Sequence, residues 1–164
     1  MLAALVVFGG ATACSEPVSA DRSRQHALAA DGAVALAPRG SVLAGRSSQL
    51  AARDSLYHTS TPTAVNARWR TAMATAEVLR YYQEELPVNG WTLDFLSCSP
   101  AGSFTLTASK RTAGFWASAI VQYGHSAPGS GYDLSVSLLA PPASRGAGEP
   151  PQPLGGQDPD RGCP

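Results

Sequence analysis

The sequence has few charged residues and no surplus of either sign. Its 164 residues carry 12 Lys and Arg against 12 Asp and Glu, which leaves no net charge at pH 7. A chain with balanced charge has no overall field to draw it to nucleic acid. We therefore expect no nucleic-acid partner, and the length predicts one domain with flanking segments.

The residues that hold metals or act in catalysis are also scarce. Three histidines and three cysteines occur, without a Cys-x-x-Cys or His-x-x-x-His pair. No G-x-S-x-G motif presents a serine nucleophile, and the Gly-rich stretch 124–131 lacks the lysine of a phosphate loop. We expect no metal and no cofactor, and an enzyme is not favoured. A small hydrolase built from His58 or His125, a carboxylate such as Asp133 and a serine stays an alternative.

Long apolar runs are missing except at the N-terminus. Residues 2–8 are nearly all large and apolar, but a membrane span needs about 20 such residues. Residues 1–13 match a signal peptide instead, because Ala11-Thr12-Ala13 is a small-residue cleavage site. A buried core helix is a further interpretation of this run.

Cys14 follows the small residues directly, and this pattern resembles the signal of a bacterial lipoprotein. The resemblance implies that Cys14 carries the lipid, with palmitate among its acyl chains, and becomes the mature N-terminus. The protein would then be held at the extracytoplasmic face of the cell membrane. The alternative is a secreted protein cut at the same bond.

The flanking segments are predicted to be irregular. Residues 14–65 comprise a tether without apolar periodicity over 15–37 and a long polar loop over 45–64, with a short strand beginning near Ser41. Half of the residues from 141 to 164 are Pro or Gly, which predicts a disordered tail.

Residues 66–140 are predicted to form the domain, which begins with a strand and then a helix. The helix starts at Thr75 as N-cap and stops near Leu86, because Pro87 and the pair Asn89-Gly90 disfavour its continuation. Its apolar stripe consists of Val78, Leu79, Tyr82 and Leu86.

Alternating patterns before and after this helix predict the strands. They lie near residues 66–72, 91–95, 104–109, 115–123 and 132–138, with turn signals between the later ones. The fold class is α+β, a two-layer arrangement of one helix on a mainly antiparallel sheet of about five strands in the order β-α-β-β-β-β. We expect Trp91 to lie between the helix stripe and the sheet residues Phe95, Leu106, Val121 and Leu134.

The motif Tyr82-x-x-x-Leu86-x-x-x-Gly90-Trp91, behind a lipoprotein-like signal, resembles small uncharacterised envelope lipoproteins of high-GC Gram-positive bacteria. The resemblance implies a small α+β domain in the cell envelope. It carries no catalytic residue over to this chain.

The sheet face turned away from the helix is the best candidate for binding. It is predicted to present hydroxyls, arginines and one tryptophan, which suit a polar ligand or an envelope protein. A solvated face, or one covered by the loop before residue 66, is the alternative. The residues are Arg68, Arg70, Thr92, Asp94, Thr105, Thr107, Trp116, Ser118 and Ser135.

The remaining cysteines, Cys98 and Cys163, are predicted to form a disulfide outside the membrane, although a buried Cys98 and an unpaired Cys163 thiol would also fit.

The predicted function is a non-enzymatic binding or accessory module. A small envelope hydrolase and a structural scaffold subunit of an envelope complex are the alternatives.

Overall fold

Two helices lie on one face of a six-stranded antiparallel sheet in the computed structural model, which describes residues 16–54, 59–125 and 132–141. The predicted α+β class is confirmed. The main sheet has one strand more than the five expected, and a second α-helix packs on it. The elements are α1 (Glu16–Ala30), a 3₁₀ helix (Gly32–Ala35), β1 (Val42–Gln49), β2 (Ala52–Asp54), β3 (Thr59–Thr61), β4 (Thr63–Thr71), α2 (Thr75–Val88), β5 (Thr92–Cys98), β6 (Phe104–Thr112), β7 (Phe115–His125) and β8 (Tyr132–Ala140).

The large sheet has the strand order β1-β4-β8-β7-β6-β5, and β2 pairs with β3 in a separate hairpin. Strands β5 to β8 form the predicted meander. The meander starts at the edge far from β4 and returns, so that β8 pairs with β4. Helix α2 therefore connects two strands that are not neighbours, and it crosses the sheet between them.

The inner face of the sheet, which we define as the face that contacts the helices, carries the core. Its alternation agrees with the sequence, since Ala67, Val136, Val121 and Leu106 lie in one row across four strands and are all buried. The predicted stripe of α2 is also buried. Each Leu or Val buried in this way contributes about 1.5–3 kcal/mol of transfer free energy.

The prediction that Phe95 joins this core is wrong. A β-bulge interrupts the pairing of β5 and β6, with Leu93 opposite Ala108 and Phe95 opposite Thr107. The extra residue, Asp94, shifts the alternation by one position. Phe95 therefore lies on the other face of the sheet, while Leu96 is buried with the core.

The ends of α2 differ slightly from the prediction. Ala74 is the N-cap, its N–H donating to the Glu77 carboxylate at 3.3 Å, while the Thr75 hydroxyl donates to the Gly102 carbonyl at 2.7 Å. Pro87 is tolerated in the last turn, and the helix ends at Val88. Gly90, with φ of 80°, and Trp91 then donate to the carbonyls of the last turn, which closes the helix as a Schellman motif.

The predicted tether and long loop are wrong for the described part of residues 14–65. Residues 16–30 form α1, which packs on β4 and β8, and residues 42–49 form β1, which pairs with β4. Leu28 is fully buried and is the one large apolar residue among residues 19–30, so this part of α1 carries no apolar stripe. Its Ala-rich composition is what favours a helix. The signal peptide, Cys14 and the tail after Pro141 lie outside the described residues.

Asp31 joins the segment after α1 to the corner where α2 meets the sheet. Its carboxylate accepts from the N–H of Ala33 at 2.9 Å, from the indole N–H of Trp91 at 3.2 Å and from Lys110 Nζ at 2.7 Å. Lys110 Nζ also donates to the carbonyl of Asn89 and lies 5.6 Å from the centroid of the Trp91 ring. The Asp31 side chain is only 6% exposed, so removing Lys110 would leave the buried Asp31 carboxylate without an opposite charge.

Two of the three tryptophans, Trp91 and Trp116, lie on opposite faces of the sheet and give a test of the core. Trp91 is 2% exposed and contacts both members of the ion pair, whereas Trp116 is partly exposed. Trp91→Ala should lower the free energy of unfolding by ~3–5 kcal/mol, because it removes transfer energy and leaves a cavity. Trp116→Ala should cost at most ~1 kcal/mol. Chemical denaturation of both variants measures the difference, and equal losses would show that the two faces are assigned wrongly.

Candidate functional site

The outer face, which we define as the sheet face opposite the helices, brings the predicted binding residues together in register rows. Arg68 is paired with Ser135, which is paired with Gln122, and Gln122 with Thr105. With strands about 4.8 Å apart, Arg68 and Thr105 lie about 14 Å from each other in one row. The next row contains Thr107.

Trp116 lies on the same face but away from the arginines. It is paired with Arg111 beside the β6–β7 turn, and six residues of β7 separate it from the row of Arg68. At about 3.3 Å per residue this is about 20 Å. The predicted face therefore divides into an arginine region near β1 and β4 and an aromatic corner near the β6–β7 turn.

The outer face also carries apolar residues that the sequence did not assign to a site. The bulge of β5 places Phe95 opposite Thr107, and Ile120 follows in the same row. All three are partly exposed. Both helices and the 3₁₀ helix pack on the inner face, so no helix of the described chain covers this surface. An open sheet face that mixes hydroxyl, guanidinium and apolar groups is suited to contact with a protein.

A groove of about 430 Å³ lies where β1 meets β4 in the arginine region. Gly45 contributes no side chain, and a Cβ built there would meet no atom within 4 Å. Asn66 donates to the hydroxyl of Ser47 at 3.3 Å at its side. The sequence does not predict this groove, because the polar pattern of residues 45–64 indicates a loop instead of the edge strand β1. The lining residues are Ala44, Gly45, Arg46, Ser47, Asn66, Ala67, Arg68 and Ser135.

The arginine region is positive. Arg46, Arg68 and Arg70 are exposed, and within the described chain none of their side chains makes a hydrogen bond or an ion pair. Asp133 is paired with Arg70 in backbone register. On the outer face, the guanidinium groups of Arg68 and Arg70 thus remain available for an external acceptor, while Arg46 is paired with Ala67 and lies on the inner-face side of β1.

A second polar contact lies at the other edge of the outer face. Ser109 is 5% exposed and its hydroxyl donates to Asp94 Oδ1 at 3.0 Å. Burial raises the pKa of Asp94, and the hydrogen bond from Ser109 lowers it in part. This pair has a hydroxyl and a carboxylate, and no histidine lies beside it among the described side chains.

The predicted hydrolase triad receives no support from the described residues. His125 ends β7 opposite Tyr132, and Asp133 is paired with Gly124, but the side chain of His125 lies outside the description, as does His58 entirely. Glu84 is exposed on α2, as a solvated helix face predicts. No group of three His, Cys, Asp or Glu that could hold a metal occurs among residues 16–54, 59–125 and 132–141.

Cys98 ends β5 and is disulfide-bonded. The chain has only two other cysteines, Cys14 and Cys163, and both lie outside the described residues. The predicted pairing of Cys98 with Cys163 therefore stays a prediction. The identity of the partner matters for the anchor, since a disulfide between Cys98 and Cys14 would exclude a lipid on the Cys14 sulfur.

Comparison with family models, with curated proteins and with solved structures finds no match to this chain. The resemblance to envelope lipoproteins therefore stays a prediction from the motif. No helix in the described part of the chain is both long and apolar enough to cross a membrane.

The partner of Cys98 can be identified with two variants of the exported protein. Cys163→Ala should leave Cys98 as a free thiol, while Cys14→Ala should leave Cys98 oxidised. Alkylation before and after reduction, followed by peptide mass analysis, reports both states. The opposite pattern would assign the bridge to Cys14 and exclude lipidation.

Proposed function

We propose that this protein is an extracytoplasmic, lipid-anchored binding module that holds a partner protein of the cell envelope on the outer face of its sheet. The observation that carries the proposal is the asymmetry of the sheet. The inner face is closed by two helices, and the outer face is open in the described chain, with unpaired arginines and partly exposed Phe95 and Ile120.

The two alternatives fit the described surface less well. A small envelope hydrolase has the contact between Ser109 and Asp94 in its favour, but no described histidine completes it. A structural scaffold subunit without a ligand would be expected to close its surfaces. The open outer face favours a module that binds.

The anchor part of the proposal follows from Cys14 and its small-residue neighbours. Helix α1 begins at Glu16, two residues after Cys14. A lipid on Cys14 would therefore hold the folded domain close to the membrane surface, without the flexible tether that the sequence predicts. Dual acylation supports stable anchoring, whereas a single chain gives marginal binding.

Replacing Cys14 tests the anchor. Cys14→Ala should move the protein from the membrane fraction to the soluble fraction or the medium, because the acyl chains are lost. Intact mass of the mature wild-type protein provides the direct measurement. An unmodified Cys14 at the mature N-terminus would contradict lipidation and support the secreted alternative.

Site-specific photo-crosslinking tests the binding face. A photoreactive side chain at Thr107, in the middle of the outer face, should capture a partner protein in native membranes. The same group at Arg80, exposed on α2, is the matched control and should capture none. Capture at Arg80 but not at Thr107 would place the contact on the helix side and overturn the assignment.

A further inference from the structure

Strand β1 is an edge strand with an unused hydrogen-bonding side. It pairs only with β4, and all eight of its residues are exposed. Alternate residues of an edge strand direct N–H and C=O groups away from the sheet, where they can pair with another strand. A β-bulge at Ala44 breaks the register, which leaves residues 45–49 as the regular part of the edge.

Gly45 connects this edge with the arginine region. It is paired with Arg68, and it has no side chain to separate the Arg68 guanidinium from whatever lies beyond the edge. The space above Gly45 is open, and it forms part of the groove described above. A strand added to β1 would present alternate side chains on the outer face, next to Gly45 and within reach of Arg68.

The charges select the occupant. Arg68 lies beside Gly45 on the outer face and makes no hydrogen bond or ion pair in the described chain, whereas Arg46, paired with Ala67, lies on the inner-face side of β1. A second copy of the chain would add the same arginines to the contact, so like-charge repulsion disfavours pairing of β1 with itself. An acidic segment would supply the missing acceptors through charge-assisted hydrogen bonds.

We infer that β1 receives an extended acidic segment of a partner protein as an additional strand, with one acidic side chain over Gly45 against Arg68. The inference rests on the proposed binding function and specifies the chemistry of the partner. Main-chain hydrogen bonds along residues 45–49 would supply affinity, and the arginines would select acidic over basic sequences.

Two short peptides of equal length test the inference, one alternating valine with glutamate and one alternating valine with lysine. The glutamate peptide should bind and shift the backbone amide signals of residues 45–49 in NMR spectra of nitrogen-labelled protein. The lysine peptide should bind at least about tenfold more weakly, because charge-assisted contacts are lost and replaced by repulsion. Binding of the glutamate peptide should weaken as salt is raised.

Two variants locate the contact, and a third is the control. Arg68→Gln and Gly45→Val should each reduce the affinity for the glutamate peptide about tenfold, the first by removing the charge and the second by filling the open space. Both positions are exposed, so thermal unfolding should show that the fold is kept. Arg111→Gln removes an exposed arginine near the aromatic corner and should leave the affinity unchanged.

Three results would overturn the inference. They are equal binding of the two peptides, amide shifts at β5 instead of β1, and self-association of the protein through β1 in sedimentation. Absence of glutamate-peptide binding together with partner capture from Thr107 would reject the added strand and leave the proposed function standing. Absence of both would reject the two together.

Discussion

The width of the sheet is the constraint on which the rest of this structure depends. A helix is about 10 Å across, whereas six strands at about 4.8 Å spacing span about 24 Å. The main contacts of helix α2 with the sheet are to β5 and β6, so the inner face at the β4 side needs another cover. Helix α1 and the 3₁₀ helix cover that side, with Leu28 and Val34 buried against the sheet. The segment before β1 is therefore part of the core.

Asp31 joins the two helices of the single helical layer. Helix α1 attaches to the sheet through buried Leu28 and through Arg24, which contacts the Phe115 ring and the Pro141 carbonyl, and the Asp31 carboxylate adds to these contacts. Through Trp91 and Lys110 this carboxylate is joined to the end of α2 and to β6 at the same point. The fully buried Tyr82 adds a second link, since its hydroxyl donates to the carbonyl of Leu36 at 2.7 Å. Burial raises the pKa of Tyr82, which keeps its hydroxyl a donor at all ordinary pH values.

The sequence predicts those parts of the fold in which burial imposes a period. Leu134, Val136 and Leu138 alternate with serines, and the assignment of Arg68 and Thr105 to one face follows from the same period. Prediction from the sequence fails where burial is weak or where a local irregularity such as a β-bulge changes the alternation. Residues 19–30 of α1 have no stripe because Leu28 is their one large apolar residue, and β1 has no alternation because both its faces are exposed. The bulge at Asp94 moved Phe95 to the outer face, and the groove at Gly45 depends on β1, so neither could be read from spacing.

Hydroxyl-radical footprinting of the purified protein and of native membranes tests the central claim, that one sheet face is closed by helices and the other is kept for a partner. We expect Trp116, Phe95 and Ile120 to be oxidised in the purified protein and protected in membranes, while Trp91 is protected in both. Oxidation of Trp91 at the rate of Trp116 would contradict the closed inner face. Equal oxidation of the outer-face residues in the two preparations would contradict a bound partner.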